Sequence, residues 1–567
     1  MNALWLAGGH LFCMKAECFI NFPNDLAGGR TMRTFNSLTK FESNSEYFMD
    51  GDTLSVSLSD TVHLEEKIYR AIYTSAKTWL DTAIYLKGLS NVTLDFGGAT
   101  LLLKDDTIQP FVLDECEGVT IKNVIVEYER SLLNEMNIAE IKDGEIWCVQ
   151  TEKQKHHFPM RVENGCLIPV AGNKEYPNAF KEPMFFNLYD KDTHECKNMY
   201  LVRIGKDLPH LSKESFPFHY SDLVAEKKGE YIVLRGNLPA NIIPNVTCAI
   251  SHTRRDISSV FIIRSKNTVL ENIRVLNGAG MGILGMYSEN ITLDGIKYCF
   301  DERSHGVATN AADAVHLISC FGKVEIINSI FEGMKDDALN IHSNYYIVQS
   351  VDNNVIHAKL KTDVQANPGV NAHYKMFGKG DTLLICRGNT TLSKQTVTVG
   401  RVDVTGEFTV DLTVNGDANL ICEGDSVENL SAQADLHIKN CRFGKARTHL
   451  RLQTRGKILM EDCECSLKVA LTGDKEYWYE GSPIRDLTIR NCSFVGKNAH
   501  IVACPSFDVC AESPYYHSGI KIIRNTFDVT TALDFKYCKN VLFEGNVNSA
   551  GVSFDNKFYN CMDIIEK

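Results

Sequence analysis

Short segments that alternate between aliphatic and other residues, and then reach an Asn, Asp or Gly, recur along most of the chain. Alternation at a period of two predicts a β-strand with one buried face. Asn, Asp and Gly tolerate the left-handed backbone of a tight corner, so each segment predicts one strand followed by one corner. Ten copies are recognisable: NVTLDFGG at 91, GVTIKNV at 118, NTVLENI at 267, NITLDGI at 290, KVEIINSIF at 323, DLHIKNCRF at 435, KILMEDCEC at 457, DLTIRNCSF at 486, IKIIRNTF at 520 and NVLFEGN at 540.

Neighbouring copies are offset by about 20 to 34 residues, which matches the coils of a right-handed parallel β-helix. Stacked coils share one core, and loops of any length leave from the corners. The corner residues Asn328, Asn440, Asn491 and Asn525 are expected to stack as a ladder. Cys441, Cys463 and Cys492, each one position further on, are expected to form a buried column.

The coil pattern disappears in two stretches, where Gly-Asp, Asn-Gly and Pro-containing turns separate short alternating runs. Structureless loops of that length are uncommon inside a domain, so the pattern predicts two inserted antiparallel β subdomains, the second barrel-like. The prediction divides the chain into an N-terminal segment with the first coils at 1–129, an insert at 130–255, central coils at 256–344, a second insert at 345–431, and C-terminal coils at 432–567.

Composition narrows the range of partners. The 567 residues carry 59 basic and 71 acidic side chains, a net charge of −12, without a basic cluster, which argues against nucleic acid as a partner. No stretch approaches a membrane span, and MNALWLAGGHLFCM at the start lacks the positive charge of a signal peptide. The 19 cysteines include no CxxC pair, which favours buried thiols and a cytoplasmic over a secreted protein. The oligomeric state is left open.

The most informative pattern is a doubled motif, AADAVHLISC at 311 and KDDALNIHSN at 335. Alignment without gaps pairs Asp313 with Asp337, 24 residues and therefore one coil apart. The aliphatic positions of both copies face the core, so His316, Asn340 and His342 are expected to face outward on one sheet surface.

Equivalent positions on successive coils lie about 4.8 Å apart. Asp313 and Asp337 are therefore expected to stack where the chain has just turned, with a bend releasing both side chains outward, because two unpaired buried carboxylates would be too costly. Asp336 has no counterpart in the first copy and points in another direction. Three carboxylates of two orientations suit inverting hydrolysis of a glycosidic bond, in which an acid and a water-activating base stand about 6.5–9.5 Å apart. Mutual repulsion and burial favour Asp336 as the acid, with Asp313 and Asp337 holding the water.

Other interpretations of the same residues stay open at this point. An Asp-Asp pair also caps turns, and stacked Asp side chains also bind Ca²⁺. The enzyme alternatives are a polygalacturonase-like hydrolase and a polysaccharide lyase, and the non-enzyme alternative is a carbohydrate-binding β-helix.

The segment TNAADAVHLISCFGKVEIINSIFEGMKDDALNIH at 309 resembles the core motif of glycoside hydrolase family 110. GMGILGMYSENITLDG at 280 and RTHLRLQTRGKILMED at 447 are similar to the neighbouring coils of that family. The resemblance implies a β-helical exo-acting α-galactosidase that removes terminal α-1,3-linked galactose with inversion and without a metal or other cofactor. It implies Asp336 as the acid, and Asp337 with Asp313 as the base.

Substrate contacts are predicted from the same register. The run THLRLQT at 448 places Thr448 above the Asp pair and directs Arg451 and Gln453 outward beside Asn340 and His342. Gly280 and Gly282 are expected to leave space for a sugar ring. In KEYWYEG at 475, Trp478 is a candidate to stack on a pyranose face. The candidate substrate-binding residues are Asn340, His342, Arg451, Gln453, Trp478 and His316, and the expected partner is a galactose-terminated glycan.

Overall fold

The computed structural model describes residues 78–103, 108–130, 133–171, 174–208, 211, 218–252, 257–360, 376–406, 408–445 and 449–567. It also describes four short strands before them, Met32–Thr34, Thr53–Ser55, Thr61–Leu64 and Ile72–Ser75. The stretch at 1–14 that bears on the signal-peptide expectation lies outside the described residues, as does Thr448.

The repeating segments form one long parallel sheet, in which each strand pairs with its equivalent in the next coil. Aliphatic side chains at alternate positions of these strands are buried in the core, as the period of two predicts. The described strands of this sheet are Met32–Thr34, Thr53–Ser55, Thr61–Leu64, Thr93–Asp95, Thr100–Leu103, Thr120–Tyr128, Lys266–Val275, Glu289–Asp294, Lys297–Tyr298, Phe321–Ile327, Ile330–Glu332, Ala434–Lys439, Arg442–Gly444, Lys457–Glu461, Glu464–Cys465, Asp486–Arg490, Ser493–Phe494, His517–Ile523, Thr526–Phe527, Cys538–Glu544, Val547–Asn548 and Met562–Glu566.

A second parallel sheet lies on the other side of the same core and carries the doubled motif. Its described strands are Thr78–Lys87, Ile108–Asp114, Ser258–Ile263, Met281–Met286, Val315–Ile318, Leu339–Asp352, His449–Gln453, Lys468–Gly473, Ile501–Pro505, Leu533–Lys536 and Lys557–Tyr559. Ile72–Ser75 pairs antiparallel with the first of these strands. The two sheets enclose one continuous apolar core, and the predicted class, an all-β parallel β-helix, is confirmed.

The corners of the first sheet carry the predicted amide ladder, with one correction. Asn440 donates to Asn328 at 2.8 Å, and both residues, like Asn491, have φ near +50°. The prediction for Asn525 is wrong, because Arg524 occupies the left-handed corner of its coil and donates to Asn491 at 3.3 Å. Asn525 instead points into the core, where its Oδ1 accepts from the Cys492 backbone N–H at 2.8 Å.

The cysteine column is confirmed. Cys441, Cys463 and Cys492 are buried, and each thiol lies within 3.9 Å of a backbone carbonyl oxygen in the coil below. Small side chains with a weak donor fit the interior of a corner where the backbone turns sharply.

Seven strands between residues 133 and 251 form a closed barrel with its own apolar core. A short helix, Glu152–His157, begins with a capping box formed by Thr151 and Gln154. The barrel strands are Leu133–Lys142, Glu145–Val149, Met184–Tyr189, Cys196–Ile204, Ser221–Lys228, Tyr231–Gly236 and Val246–Ser251, and a smaller sheet contains Met160–Glu163, Cys166–Ala171 and Lys174–Glu175.

A second antiparallel unit grows from the distal half of Leu339–Asp352. It packs a separate apolar core and contains Val355–Lys359, Thr382–Cys386, Ser393–Val404, Thr409–Asn415 and Ser426–Asn429. The strands of both units lie within the predicted inserts, whose bounds of 130–255 and 345–431 stay a prediction. Glu480–Gly481 adds a short antiparallel pairing to the same long strand. In the described part of the chain, no helix combines the length and the apolar character that a membrane crossing needs.

Candidate active site

The outward-facing side chains of three adjacent strands form the candidate site. His316 pairs with Asn340, Asn340 pairs with Arg451, and His342 pairs with Gln453. The intervening aliphatic residues face the core, so the predicted parity holds across all three coils. Asn340, His342 and Gln453 are nevertheless at most 4% exposed, which means that neighbouring segments cover this face.

Asp313 and Asp337 lie one above the other at the start of their strands. The Asp337 backbone N–H donates to Asp313 Oδ1 at 3.3 Å, and the Ala314 N–H donates to the Asp337 carbonyl at 3.0 Å. Both carboxylates contact outward-facing side chains, His316 and Arg451 respectively, so the bend that the sequence required does occur.

Asn310 holds that bend. Its Nδ2 donates to the backbone carbonyls of Asp313 at 2.7 Å, Ala312 at 3.2 Å and Gly280 at 2.9 Å. A fully buried amide that satisfies three carbonyls fixes a corner where regular sheet pairing is interrupted. Asn310 lies directly before the first copy of the motif, which is a signal in the sequence, but its role depends on contacts across coils.

The expectation for Gly280 and Gly282 is wrong. A Cβ at Gly280 would approach the Ile257 carbonyl oxygen to 2.3 Å, and a Cβ at Gly282 would approach the Ala314 carbonyl oxygen to 2.2 Å. These glycines permit close packing of backbone between coils, and leave no space for a sugar ring.

Asp337 is held by fixed donors. Its Oδ1 accepts from the His449 backbone N–H at 2.8 Å, and its Oδ2 accepts from Arg451 Nε at 2.7 Å. The Asp337 charge raises the pKa of the Arg451 guanidinium above its usual value. Arg451, expected to contact sugar, is therefore first the partner of a buried carboxylate.

Asp313 instead faces a histidine pair. His316 Nδ1 lies 2.9 Å from Asp313 Oδ2, and His316 Nε2 lies 2.8 Å from His342 Nε2. Burial raises the pKa of the Asp313 carboxyl, and the charges of Asp336 and Asp337 raise it further, against the opposing effect of His316. Burial alone would lower the pKa of His316, but its contact with Asp313 leaves that pKa raised. Burial lowers the pKa of His342 to about 4.

Asp336 is half-buried at the corner beside this pair, close enough for its charge to act on Asp313. The preceding residue fastens the corner to the first inserted barrel: Lys335 Nζ donates to the Phe185 carbonyl at 2.9 Å and to Ser251 Oγ at 3.1 Å. Sequence reasoning missed Lys335, because its partners are far away along the chain.

The segment 474–481 contributes a residue that the sequence reasoning also missed. Glu480 Oε2 lies 3.4 Å from Asn340 Nδ2, and Glu480 Oε1 lies 3.7 Å from His342 Nε2. Glu480 reaches the site because it pairs with Asn344 on the long strand. The Asp474 carboxylate accepts four backbone N–H groups of this loop, at 2.7–3.3 Å, which fixes the loop's shape.

Trp478 lies on the same loop and is 39% exposed. Its ring meets Tyr477 edge-on at 4.9 Å, and Tyr477 in turn meets Phe218 of the first inserted barrel at 4.6 Å. These contacts place Trp478 in an aromatic group with Tyr477 and Phe218. Gln453, in contrast, faces the site, donates to the Thr472 carbonyl at 3.1 Å, and has an Oε1 that accepts no hydrogen bond from described residues.

Three groups of the site could in principle hold a metal ion. Potential ligand atoms of His316, His342 and Glu480 lie within 4.8 Å of one another. Two nitrogens bound tetrahedrally to one zinc ion would be about 3.3 Å apart, given metal–nitrogen distances of about 2.0–2.1 Å. The observed 2.8 Å between the two Nε2 atoms is the separation of a shared proton.

Comparison with known proteins identifies the class. No family model matches the chain. Curated relatives include alpha-1,3-galactosidase B of Bacteroides thetaiotaomicron, 26% identical over 87% of this chain and 77% of the relative. Alpha-1,3-galactosidase A of Bacteroides fragilis is 27% identical over 78% of this chain and 71% of the relative. An alpha-1,3-galactosidase B of Phocaeicola vulgatus is 29% identical over 82% and 77%.

These relatives confirm the expected class, a glycoside hydrolase. They also confirm the resemblance to glycoside hydrolase family 110, over most of the chain. A solved structure described as "Glycoside hydrolase" aligns with 93% of this chain at 7% identity and a TM-score of 0.24, a likeness too weak to carry an argument.

Proposed function

We propose that this protein is an exo-acting, inverting α-galactosidase that removes terminal, α-1,3-linked galactose from glycans. The observation that carries the proposal is the stack of Asp313 and Asp337 on one sheet face, with Asp336 beside it at the corner. The relatives named alpha-1,3-galactosidase supply the sugar and the linkage. The same relatives do not favour a lyase, a polygalacturonase-like hydrolase or a non-catalytic binding protein.

In the proposed reaction, Asp336 is the general acid and donates its proton to the oxygen of the leaving group. A water molecule held by Asp313 and Asp337 attacks the anomeric carbon from the opposite face, which inverts its configuration. Half-burial of Asp336 supports the role of acid, since a bound sugar would exclude the remaining water and favour the protonated form.

The covered face supports exo action. Asn340, His342 and Gln453 are buried, and Glu480 contacts Asn340 and His342, an enclosure that suits one terminal sugar. Acceptors for sugar hydroxyls are available, because Asn340 Oδ1 and Gln453 Oε1 accept no hydrogen bond from described residues. Glu480 adds a carboxylate, and Trp478 stands outside as a platform for the next sugar.

The test uses wild type and Asp336→Asn with α- and β-linked galactosides, and follows the anomer released by NMR. We expect β-galactose as the first product from α-1,3-linked substrates, and loss of hydrolysis in the variant. The matched control is Asp143→Asn, an exposed residue with φ of +53°, which Asn tolerates. First release of α-galactose would contradict the inverting mechanism, and an active Asp336→Asn variant would exclude Asp336 as the acid.

A further inference from the structure

The protons of the histidine pair can be assigned from its partners. His342 Nδ1 lies 3.0 Å from the Ser343 carbonyl oxygen, which can only accept, so this nitrogen carries a hydrogen. Burial lowers the pKa of His342 to about 4, so the ring is neutral near pH 7 and its Nε2 can only accept.

The protons of His316 follow from those of His342. Its Nε2 lies 2.8 Å from an Nε2 that can only accept, so His316 Nε2 carries a hydrogen and donates it. Its Nδ1 lies 2.9 Å from Asp313 Oδ2, a close contact without the alignment of a full hydrogen bond, and because two lone pairs at this distance would repel, one of the two atoms carries a proton. An ionised Asp313 therefore requires His316 to be an imidazolium.

We propose that His316 is a positioning residue, which stays protonated and keeps the buried Asp313 carboxylate ionised, so that Asp313 takes the proton of the attacking water. This inference rests on the proposed function. It assigns the base to Asp313, whereas Asp337 orients the water and stays an ion pair.

The partners of the two carboxylates support this division. Asp337 is engaged by a backbone N–H and by Arg451, and a guanidinium does not release its proton. Both carboxylate oxygens of Asp337 are therefore engaged by fixed donors. Burial and the charges of Asp336 and Asp337 oppose ionisation of Asp313, so without a cation beside it the carboxyl would be protonated and useless as a base.

The charges that act on Asp313 and on the two histidines come from several neighbouring residues. Asp336 and Asp337 face Asp313, Glu480 and Asp337 act on His316, and Glu480 and Arg451 act on His342. Asp313 and Glu480 favour a cation at His316, while Arg451 disfavours a second one at His342. One imidazolium in the pair is therefore the arrangement that these charges stabilise.

The proton balance of the reaction closes. The water oxygen forms a bond with the anomeric carbon as the bond from that carbon to the leaving oxygen breaks. The Asp336 proton passes to the leaving oxygen, and a water proton passes to Asp313. After product release, Asp313 returns its proton to solvent and Asp336 takes one up, while His316 keeps both ring hydrogens throughout.

The first test does not depend on activity. In the full chain with ¹⁵N-labelled histidine, NMR at pH 7 is expected to show both ring nitrogens of His316 protonated, with the signal assigned by its loss in His316→Gln. His342 is expected as the neutral Nδ1–H form. A neutral His316 ring at pH 7 would overturn the inference.

The second test is the pH profile of kcat/KM on an α-1,3-linked galactoside. In His316→Gln the cation is lost, so the pKa of Asp313 rises and the acidic limb moves to higher pH, by about one unit or more. His342→Gln retains an acceptor for His316. The acidic limb of the kcat/KM profile of this variant is therefore expected to stay at the wild-type pH, even if its KM changes. If His316→Gln lowered the rate but left the acidic limb at the same pH, His316 would have only a structural role.

The third test separates the two carboxylates. Asp313→Ala removes the base but leaves space for azide, a nucleophile that needs no deprotonation, so azide is expected to restore turnover and yield β-galactosyl azide. Asp337→Ala is expected to give no such rescue. Rescue of Asp337→Ala alone would assign the base to Asp337. If wild type released no galactose, the proposed function would fail, and the NMR test would still decide the state of His316.

Discussion

Two stacks of polar side chains follow the coils of this β-helix, and they differ in whether neighbouring members hydrogen-bond to one another through their side chains. In the corner ladder, Asn440 donates to Asn328 and Arg524 donates to Asn491, so neighbours satisfy one another. On the site face, Asp313 lies against Asp337, and each needs a partner of another kind. A stack of amides stabilises a fold, whereas a stack of carboxylates costs stability and implies a use.

The largest effect is expected at the charged stack. Asp336→Asn removes the proposed acid and should lower kcat on the order of 10³-fold. The free energy of unfolding should change by less than about 1 kcal/mol, because Asp336 is half-buried and Asn keeps its shape. Steady-state kinetics and urea denaturation of the same preparation check both statements, and a large loss of stability would contradict this division between chemistry and fold.

Arg451→Leu tests the cost of an unpaired carboxylate. Asp337 would stay buried without its cation, and we expect a loss of about 3 kcal/mol in unfolding free energy, measured by urea denaturation. Arg401→Leu is the matched control, because it breaks an exposed pair with Asp403 and should cost less than about 1 kcal/mol. Equal losses in the two variants would show that burial of the pair is irrelevant.

Asn440→Ala breaks the amide ladder instead. The loss of one hydrogen bond and the left-handed backbone at φ of +52° together predict about 2 kcal/mol of destabilisation. Asn440→Gly removes the same hydrogen bond but accepts that backbone, so it should be more stable than the Ala variant. Thermal unfolding gives the order, and kcat should be unchanged in both, since the ladder lies on the other sheet.

Glu480→Gln tests whether this carboxylate belongs to the site. If it accepts a sugar hydroxyl, loss of its charge should raise KM about 10-fold. Glu476→Gln, an exposed change on the same loop, should leave KM unaltered. The outcome that would remove Glu480 from the site is an identical KM for both variants.

Trp478→Ala is expected to have the smallest effect. Loss of a stacking surface predicts an increase in KM of about threefold for oligosaccharides, and less for a small aryl galactoside. Trp478→Phe should restore most of the difference. Equal effects on long and short substrates would place the indole outside the path of the second sugar.

The coil pattern could be predicted from the sequence because each strand and each corner depends on residues that are close together along the chain. The doubled motif placed Asp313 above Asp337, since a parallel register repeats once per coil. The ladder prediction failed at Asn525 because this residue lies one position after the left-handed corner, which Arg524 occupies. Alignment of the Asn residues alone therefore assigned the wrong register to this coil.

The rest of the site could not be predicted for a different reason. Glu480 arrives through an antiparallel pairing with Asn344, and Lys335 finds its partners in the first barrel. These contacts join residues 84 to 150 positions apart, and no periodic pattern in the sequence indicates them. The prediction of Trp478 named the loop that carries Glu480, but not that carboxylate, two residues further on.

The anchoring of Lys335 ties the first barrel to the chemistry. Its ammonium group ends on the Phe185 carbonyl and Ser251 hydroxyl, while its own backbone precedes Asp336. A shortened version of this enzyme, trimmed to the bare helix, would leave the Lys335 ammonium group without these two acceptors, next to the proposed proton donor Asp336. Whoever wishes to miniaturise it must therefore replace that lysine together with the barrel.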